Sequence, residues 1–402
     1  MKTIFIAFSL LLSITVYSQK KPEPNLEKKA AEIHKRTLTI DSHTDTPLRF
    51  LNADFDIGKD NDKRSSKVDL PKMKAGGLDA AFFAVFLGQR ERNDDANKIA
   101  IAKAHEIFAA VKKEVARYPD LAEVAYTPND AIKLKKQGKR AIYIGIENGY
   151  AIGNDISLVK KYFEMGARYM TLCHSKNNDI CDSANDTIEH NGLSKFGEDV
   201  VKEMNRVGMM IDVSHISDKS FFDVIKLSKT PVIASHSCSR TICNNPRNMT
   251  DEMLMKLKEN GGVIQMCILS DYVKKIDQDT LRIQAQLALR EKYKGFKNLS
   301  DEMYKKVIAE WYGIDEVYPP KLADVEDVVD HIDYIVKLIG IDHIGIGTDF
   351  DGGGGVNGCN NASEMENITL ELVKRGYSEE DIQKIWSGNL LRVYRKVMEY
   401  AD

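Results

Sequence analysis

The chain has 402 residues, 43% of them hydrophobic, and a formal net charge of −3. This length and apolar content are sufficient for one large barrel domain or for two domains of ordinary size. The nearly balanced charge, without any basic stretch that carries interleaved aromatic residues, argues against a nucleic-acid-binding protein.

Residues 1–18 have the layout of a secretory signal peptide. A lysine follows the first methionine, residues 4–16 are mostly apolar, and the segment ends on a small residue. The apolar run is too short for a comfortable membrane span, and the charged segment 20–36 follows it. We therefore expect cleavage before Gln19, a secreted or periplasmic protein with one domain over residues 19–402, and no stable membrane insertion. An uncleaved anchor is the alternative.

Short apolar runs alternate with longer helical patterns along the rest of the chain. Eight runs are rich in β-branched or aromatic residues and are bounded by Gly, Asp, Ser or His, which is typical of β-strands. They cover residues 38–42, 80–87, 141–146, 167–173, 209–214, 231–235, 262–269 and 343–348. Helical periodicity is found in residues 95–118, 194–207, 218–227, 250–259 and 324–338.

Eight strands separated mainly by helices predict an α/β fold, a (β/α)8 TIM-like barrel of parallel strands. Residues 272–320 are too many for a simple connection and predict a helical insertion after strand seven. Residues 363–402 predict two or three closing helices. The glycine run at 352–355 indicates a mobile loop just after strand eight.

The six cysteines contain no CxxC motif, which argues against a thiolate zinc site. Several lie in or beside apolar strand-like runs, so the sequence favours buried free thiols. Pairing of Cys173 with Cys181, or of Cys238 with Cys243, stays open in an oxidising compartment.

Metal-binding and titratable side chains gather at the ends of the predicted strands. Four of the nine histidines follow a strand directly, and so do three carboxylates. These residues are His43, His174, His215, His236, Asp45, Glu147 and Asp349. Because the C-terminal strand ends of such a barrel form the rim on which active sites are built, the clustering predicts a metal-dependent catalytic site there.

The spacing of these residues favours metal ligation. His43 and Asp45 are two residues apart, and an extended strand points such a pair to the same side. His215 and His236 each end a Ser-His pair, and the two pairs are one strand–helix unit apart, so their imidazoles would be neighbours. The two oxygens of Glu147 could bridge two cations. Imidazoles and carboxylates are typical ligands of catalytic zinc.

The motifs around these residues resemble those of the membrane dipeptidase (renal dipeptidase) family, zinc peptidases of the amidohydrolase-type barrel group. They occur in family order over most of the mature chain. The matching stretches are DSHTDTP at 41–47, VDLPKMKAGGLDAAFFAVF at 68–86, GIENGY at 145–150, LCHSKNN at 172–178, DVSHIS at 212–217, PVIASHSCSR at 231–240, PRNMTDEM at 246–253 and HIGIGTDFDGG at 343–353.

This resemblance implies a zinc-dependent dipeptidase with two zinc ions per chain and a hydroxide shared between them. His43 and Asp45 would bind one zinc ion. His215 and His236 would bind the other, and Glu147 would bridge the two. A homodimer is common in the family, but no residue of this chain decides it.

The resemblance also implies three residues that act on the dipeptide. His174 would contact the scissile carbonyl or its oxyanion, and Asp349 would act as the proton shuttle. Arg247 would hold the free carboxylate of the substrate, since a guanidinium matches a carboxylate with two donors.

The chain departs from the family at the end of strand seven. The family often has an Asn-Phe-Tyr run there, whereas residues 265–268 read Gln-Met-Cys-Ile. We therefore expect a tyrosine that helps to hold the substrate carboxylate to be missing, which leaves the dipeptide preference open. Another amidohydrolase-type hydrolase, acting on a lactone, a cyclic amide or a phosphoester, is the alternative. A non-catalytic metal-binding protein would not need Asp349 and His174.

Overall fold

A computed structural model describes residues 25–52, 54–62, 64–296 and 301–401. The predicted signal peptide, residues 1–18, and its cleavage point lie outside the described residues. Within the described ranges, no helix has both the length and the apolar character that crossing a bilayer requires.

Eight parallel strands form a nearly closed barrel in the order β1-β2-β4-β5-β6-β7-β8-β9, which confirms the predicted fold. The barrel strands are β1 (Ile40–Thr44), β2 (Ala80–Phe86), β4 (Arg140–Glu147), β5 (Ala167–Thr171), β6 (Met210–Asp212), β7 (Ile233–Ser237), β8 (Val263–Met266) and β9 (Ile344–Ile346). A short additional strand, β3 (Ala122–Val124), pairs with β4 outside the barrel and was not predicted. Three residues are too few to show an alternating or apolar pattern.

The helices connect the strands and cover the outside of the barrel. They are α1 (Leu26–Arg36), α2 (Leu70–Ala75), α3 (Asp94–Ala116), α4 (Pro128–Lys136), α5 (Ser157–Met165), α6 (Lys195–Val207), α7 (Asp218–Leu227), α8 (Asp251–Asn260), α9 (Ser270–Val273), α10 (Thr280–Lys292), α11 (Asp301–Val317), α12 (Val325–Ile339), α13 (Glu366–Lys374), α14 (Glu379–Gln383) and α15 (Asn389–Tyr400). Helices α9 to α11 are the predicted insertion, and α13 to α15 are the predicted closing helices.

The N-terminal end of the barrel is filled with apolar side chains. The first residues of several strands, among them Ile40, Met210 and Val263, form one buried cluster with residues of α15. Tyr394 of α15 contacts Tyr143 of β4 edge to face, with the ring centroids 6.0 Å apart. Because α15 packs against this end, the opposite, C-terminal end is the one available for a site.

The barrel closes through backbone contacts between β1 and the segment that follows β9. The amide of Asp349 donates to the carbonyl of His43 at 3.1 Å, and the amide of Asp45 donates to the carbonyl of Phe350 at 2.9 Å. These bonds place Asp349 directly beside the residues that end β1.

All six cysteines lie in the described part of the chain, where they are buried free thiols. The Cys238 thiol donates to the carbonyl of Cys267 on the neighbouring strand end at 3.3 Å, and the Cys243 thiol donates to the carbonyl of Asp271 at 3.6 Å. The structure therefore supports the free-thiol interpretation, and Cys238 and Cys243 have separate partners.

Candidate active site

The seven rim residues predicted from the sequence lie at one end of the barrel. His43, Glu147 and His236 are near the C-terminal ends of β1, β4 and β7. The other four follow β1, β5, β6 and β9, and they are Asp45, His174, His215 and Asp349. Six of the seven are buried, whereas the His174 side chain is 26% exposed.

The carboxylate of Glu147 lies at the centre of this group. Its Oε2 atom is 3.5 Å from Nε2 of His43. Its Oε1 atom is 3.1 Å from Nε2 of His215 and 3.5 Å from Nε2 of His236. The two oxygens therefore face different imidazoles, which is the geometry that a bridging ligand needs.

Among the described residues, three groups of side chains could each hold a metal ion, with all donor atoms of a group within 4.8 Å of one another. The groups are His43, Asp45 and Glu147; Glu147, His215 and His236; and His43, His236 and Asp349. The first two are the ligand sets expected from the sequence, and they share Glu147. The third group was not expected, and it places Asp349 next to both sets.

Several donor atoms of these groups have no hydrogen-bond partner although they are buried. They include Nε2 of His43, Oδ1 of Asp45 and Oε2 of Glu147. Buried polar atoms are nearly always paired, so a cluster of unpaired ones calls for a ligand. Since imidazole nitrogen and carboxylate oxygen are the donors that suit zinc, the site fits a divalent cation of this kind.

The electrostatics of the site also favour cations. Burial is the main cause that raises the pKa of Asp45 and that of Asp349 well above the ordinary value, and the charge of Glu147 adds to it. Burial likewise lowers the pKa of His215 and that of His236, which keeps both imidazoles neutral. Neutral imidazole is the form that binds a metal ion, and a cation would compensate the crowded carboxylates.

The His43 pKa responds to the same crowding. Burial acts to lower it, but the negative charges of Glu147, Asp45 and Asp349 outweigh burial and raise the pKa of His43 to about 10. A bound cation would take over this charge compensation, because metal binding displaces the proton from an imidazole ligand.

The backbone is strained where the chain leaves the strands at the site. Asn148, His215 and Asp349 have φ angles of 77°, 70° and 60°, in the left-handed region that non-glycine residues rarely adopt. Such strain concentrates at functional sites, where surrounding contacts enforce it. At His215 and Asp349, the left-handed backbone turns the side chains away from the alternating directions that side chains have on an extended strand.

The glycine run after β9 forms a tight turn around Asp349. The amides of Gly352, Gly353 and Gly354 all donate to the carbonyl of Asp349, at 3.2, 3.1 and 2.7 Å. A Cβ atom on Gly352 would lie 2.1 Å from Oδ2 of Asp45, so only glycine leaves room for the carboxylate. Backbone hydrogen bonds therefore tie the run to the site, and the mobility that the sequence indicated for it stays a prediction.

Arg247 lies at the edge of the site as a buried cation. One guanidinium nitrogen donates to the carbonyl of His236 at 3.1 Å, and Nε has no partner. In the part of the chain that the structure describes, no carboxylate lies within ion-pair distance of it. The guanidinium faces the ring of Tyr272 instead, 5.2 Å from its centroid. A buried arginine without a carboxylate partner is suited to an anionic ligand.

A sequence model of the family described as Membrane dipeptidase (Peptidase family M19) matches residues 27–402. The chain belongs to the membrane dipeptidase family. Together with the candidate metal groups, this membership makes the protein a metallo-dipeptidase and confirms the predicted family and enzyme class.

Individual relatives agree with this assignment along most of the chain. The dipeptidase is 30% identical to Dipeptidase tcpJ of Claviceps purpurea, over 91% of this chain and 78% of that protein. It is 31% identical to Dipeptidase 3 of Rattus norvegicus, over 94% of this chain and 69% of that protein. The crystal structure of the probable dipeptidase PvdM from Pseudomonas aeruginosa superposes with a TM-score of 0.80 at 32% identity, covering 94% of this chain and 99% of that one.

A tyrosine that does not belong to residues 265–268 lies beside Arg247 in the dipeptidase. The sequence predicted that a tyrosine is missing at the end of strand seven, because residues 265–268 lack one. Tyr272 lies five residues beyond Cys267, in the short helix α9, and its ring contacts Arg247. Burial raises the pKa of Tyr272 to about 12, so its phenol stays protonated. Tyr272 lies beyond residues 265–268, at the start of the insertion, so the absence of the tyrosine at the end of strand seven stays a prediction.

Sequence reasoning also missed the residues that support the ligands of the dipeptidase from behind. The Tyr169 hydroxyl lies 2.8 Å from Nδ1 of His43, and the Ser235 hydroxyl lies 2.9 Å from Nδ1 of His236. Such partners fix the orientation of ligand imidazoles. The serine was signalled by its place next to His236. No signal pointed to Tyr169, because it lies 126 residues from His43.

Proposed function

We propose that this dipeptidase hydrolyses the peptide bond of dipeptides at a centre of two zinc ions. His43 and Asp45 would bind one ion, His215 and His236 the other, and Glu147 both. The observation that carries the proposal is the position of Glu147, whose Oε2 faces His43 while Oε1 faces His215 and His236.

Two bound zinc ions would polarise the scissile carbonyl and, by lowering the pKa of a shared water to about 7, supply hydroxide at neutral pH. His174 supports the reaction from the exposed side. Its Nε2 is 3.8 Å from Oε1 of Glu147, and its ring packs against Phe86 with the centroids 4.8 Å apart. A donor held at this place stabilises the developing oxyanion, and such donors contribute about 3–4 kcal/mol.

Asp349 is placed to transfer the proton. Its Oδ1 lies 3.9 Å from Nε2 of His43, and its backbone is held by the glycine turn described above. A carboxylate within reach of both candidate ligand sets can accept the proton of the attacking water and deliver it to the leaving amine.

Arg247 and Tyr272 would define the length of the substrate. The guanidinium has unused donors and the phenol is protonated, so the two can bind the free carboxylate of a C-terminal residue. An anchor for a free carboxylate one residue beyond the scissile bond favours dipeptides over longer chains or esters. This end of the site therefore supports peptide cleavage over the lactone and phosphoester alternatives.

One experiment tests the metal centre and the proton transfer together. Mass-spectrometric metal analysis of the purified enzyme should find two zinc ions per chain. Asp349→Asn should keep both ions but lower turnover at least a hundredfold, since general acid–base catalysis contributes about 10²–10⁴-fold. Asp342→Asn, at the opposite end of β9, is the matched control and should have normal turnover. One zinc ion or none in the wild type, or normal turnover of Asp349→Asn, would contradict the proposal.

We further propose that the chain is exported, as a secreted or periplasmic protein. Support comes from the signal-peptide layout of residues 1–18. N-terminal sequencing of the protein recovered from cells that carry its own leader should begin at Gln19. An N-terminus at Met1 would contradict export by this route.

A further inference from the structure

A buried carboxylate lies behind the His215 and His236 half of the site. Asp212 is the last residue of β6 and has no exposed surface. Its Oδ1 accepts hydrogen bonds from the amides of Ser214 and Ser235, at 3.0 and 2.8 Å. Its Oδ2 accepts hydrogen bonds from the hydroxyls of Ser235 and Thr171, at 2.6 and 2.5 Å. Four donors thus hold one carboxylate that contacts neither imidazole directly.

The hydrogen bond from Ser235 to Asp212 determines the direction of the hydrogen bond between Ser235 and His236. A serine hydroxyl has one proton, and here Asp212 accepts it. The Ser235 oxygen can therefore only accept from Nδ1 of His236, which lies 2.9 Å away. Nδ1 of His236 then carries the ring proton, and Nε2 keeps its lone pair.

The nitrogen left with the lone pair is the one that faces the site. Nε2 of His236 lies 3.5 Å from Oε1 of Glu147 and 2.7 Å from Nε2 of His215. Only an unprotonated nitrogen can bind a metal ion, so the bonds behind the ring select the binding tautomer.

Asp212 also aligns the two strand ends that carry these imidazoles. It holds the amide of Ser214, the residue before His215. The Ser214 hydroxyl in turn accepts the amide of His236 at 3.1 Å. One carboxylate therefore connects the end of β6 with the end of β7 on the side away from the ligand atoms.

We propose that Asp212 and Ser235 are positioning residues that hold His236 in its metal-binding tautomer and keep His215 and His236 directed at the same ion. The inference rests on the proposed two-zinc centre and adds residues that do not touch the metal. Tyr169, behind His43, is a weaker case, because its hydroxyl can either donate to Nδ1 or accept from it.

The chemistry of asparagine explains why the carboxylate is needed. In Asp212→Asn, one carboxylate oxygen is replaced by an NH2 group. This NH2 group must face either the two hydroxyls or the two backbone N–H groups, all of which donate to Asp212 in the native protein. Facing the hydroxyls, it would donate to Ser235, whose proton could then go to Nδ1 of His236. That reverses the tautomer and places a proton on Nε2, where the ion should bind.

Ser235→Ala is the sharper test, because it removes the relay and leaves the volume nearly unchanged. We expect competition with a chromogenic chelator to show that one of the two zinc dissociation constants increases about 10–100-fold while the other is unchanged. This is the usual effect of losing a hydrogen-bond partner behind a ligand imidazole. Ser235→Thr keeps the hydroxyl and should restore the affinity. Ser220→Ala is the matched control, a fully buried serine whose hydroxyl donates to the carbonyl of Asp182.

A second measurement reads the tautomer without metal. In protein with ¹⁵N-labelled histidine, the ring-nitrogen shifts of His236, assigned with a His236→Gln variant, should indicate a proton on Nδ1 in the wild type and a changed tautomer in Ser235→Ala. Unchanged shifts together with two unchanged dissociation constants would overturn the inference. If the wild type binds fewer than two zinc ions, the two-zinc centre is wrong, and the metal-free shifts still decide the role of Ser235.

Discussion

At the residue scale, the candidate metal groups include three buried donor atoms that have no hydrogen-bond partner. These atoms are Nε2 of His43, Oδ1 of Asp45 and Oε2 of Glu147. Burying a polar atom without a hydrogen-bond partner destabilises the folded protein, and a bound ligand would offset this cost. The residues behind the ligands, by contrast, have all their bonds satisfied, as at Asp212.

Arg247 gives the clearest prediction at this scale. Arg247→Lys keeps the charge but loses the two-pronged donor, so kcat/KM for dipeptides should fall at least tenfold. Amide substrates without a free carboxylate should be affected much less. Arg240→Lys is the matched control, because Arg240 already binds Asp218 with two bonds of 2.7 Å. An equal loss for both substrate classes would show that Arg247 does not bind the carboxylate.

At the element scale, the site depends on where the strands stop. Strands β6 and β9 have three residues each and end before the positions that their apolar patterns predicted. Beyond these ends the backbone turns into left-handed conformations at His215 and Asp349 instead of extending the ladder. Hydrogen bonds to neighbouring segments then hold the chain, and this is what places the side chains over the barrel.

The prediction at the element scale concerns the glycine turn after β9. A Cβ atom on Gly354 would lie 1.9 Å from the carbonyl oxygen of Thr348, so Gly354→Ala must displace the backbone next to Asp349. We expect a loss of about 1–3 kcal/mol in unfolding free energy, as for other overpacked sites, with a lower kcat. Gly313→Ala, in α11 with nothing within 4 Å, is the control and should be neutral or stabilising. Unchanged denaturant midpoint and kcat in Gly354→Ala would contradict this account.

At the scale of the whole molecule, the candidate ligands come from strands on different sides of the barrel. β1 carries His43, β4 carries Glu147, and β6 and β7 lead to His215 and His236. Metal ions held by these side chains would cross-link separate strands at the C-terminal end of the barrel. Apart from such ions, loops cover this end. The closing helix α15 packs the opposite end, so the two ends of the barrel are stabilised by different means.

Metal removal should therefore lower the stability of the whole barrel. A ligand that binds only the folded state adds about 4 kcal/mol when its free concentration is a thousandfold above its dissociation constant. We expect calorimetry to show a Tm that falls by several degrees with a chelator and recovers with zinc. In Glu147→Gln, the response to the chelator should be much smaller. An unchanged Tm after complete removal of zinc would contradict a structural contribution of the metal.

The sequence by itself determined the barrel and the residues of the rim. Strand periodicity, helix spacing and strand-end chemistry are local properties, and eight alternating units admit few folds. The two-residue spacing of His43 and Asp45 and the repeated Ser-His pairs carry chemistry that can be recognised without coordinates. The observed barrel and the family match confirmed the fold and the family, whereas the roles of the individual rim residues stay predictions.

Only the tertiary structure decided which side chains support the ligands and which residues meet at the substrate end. Tyr272 contacts Arg247 although they are on different connections, and Asp212 reaches His236 through a serine on the next strand. Hydrogen-bond partners of this kind depend on distances across the barrel that sequence spacing does not encode. Strand ends depend in the same way on competing bonds from loops, which is why β6 and β9 are shorter than their apolar runs.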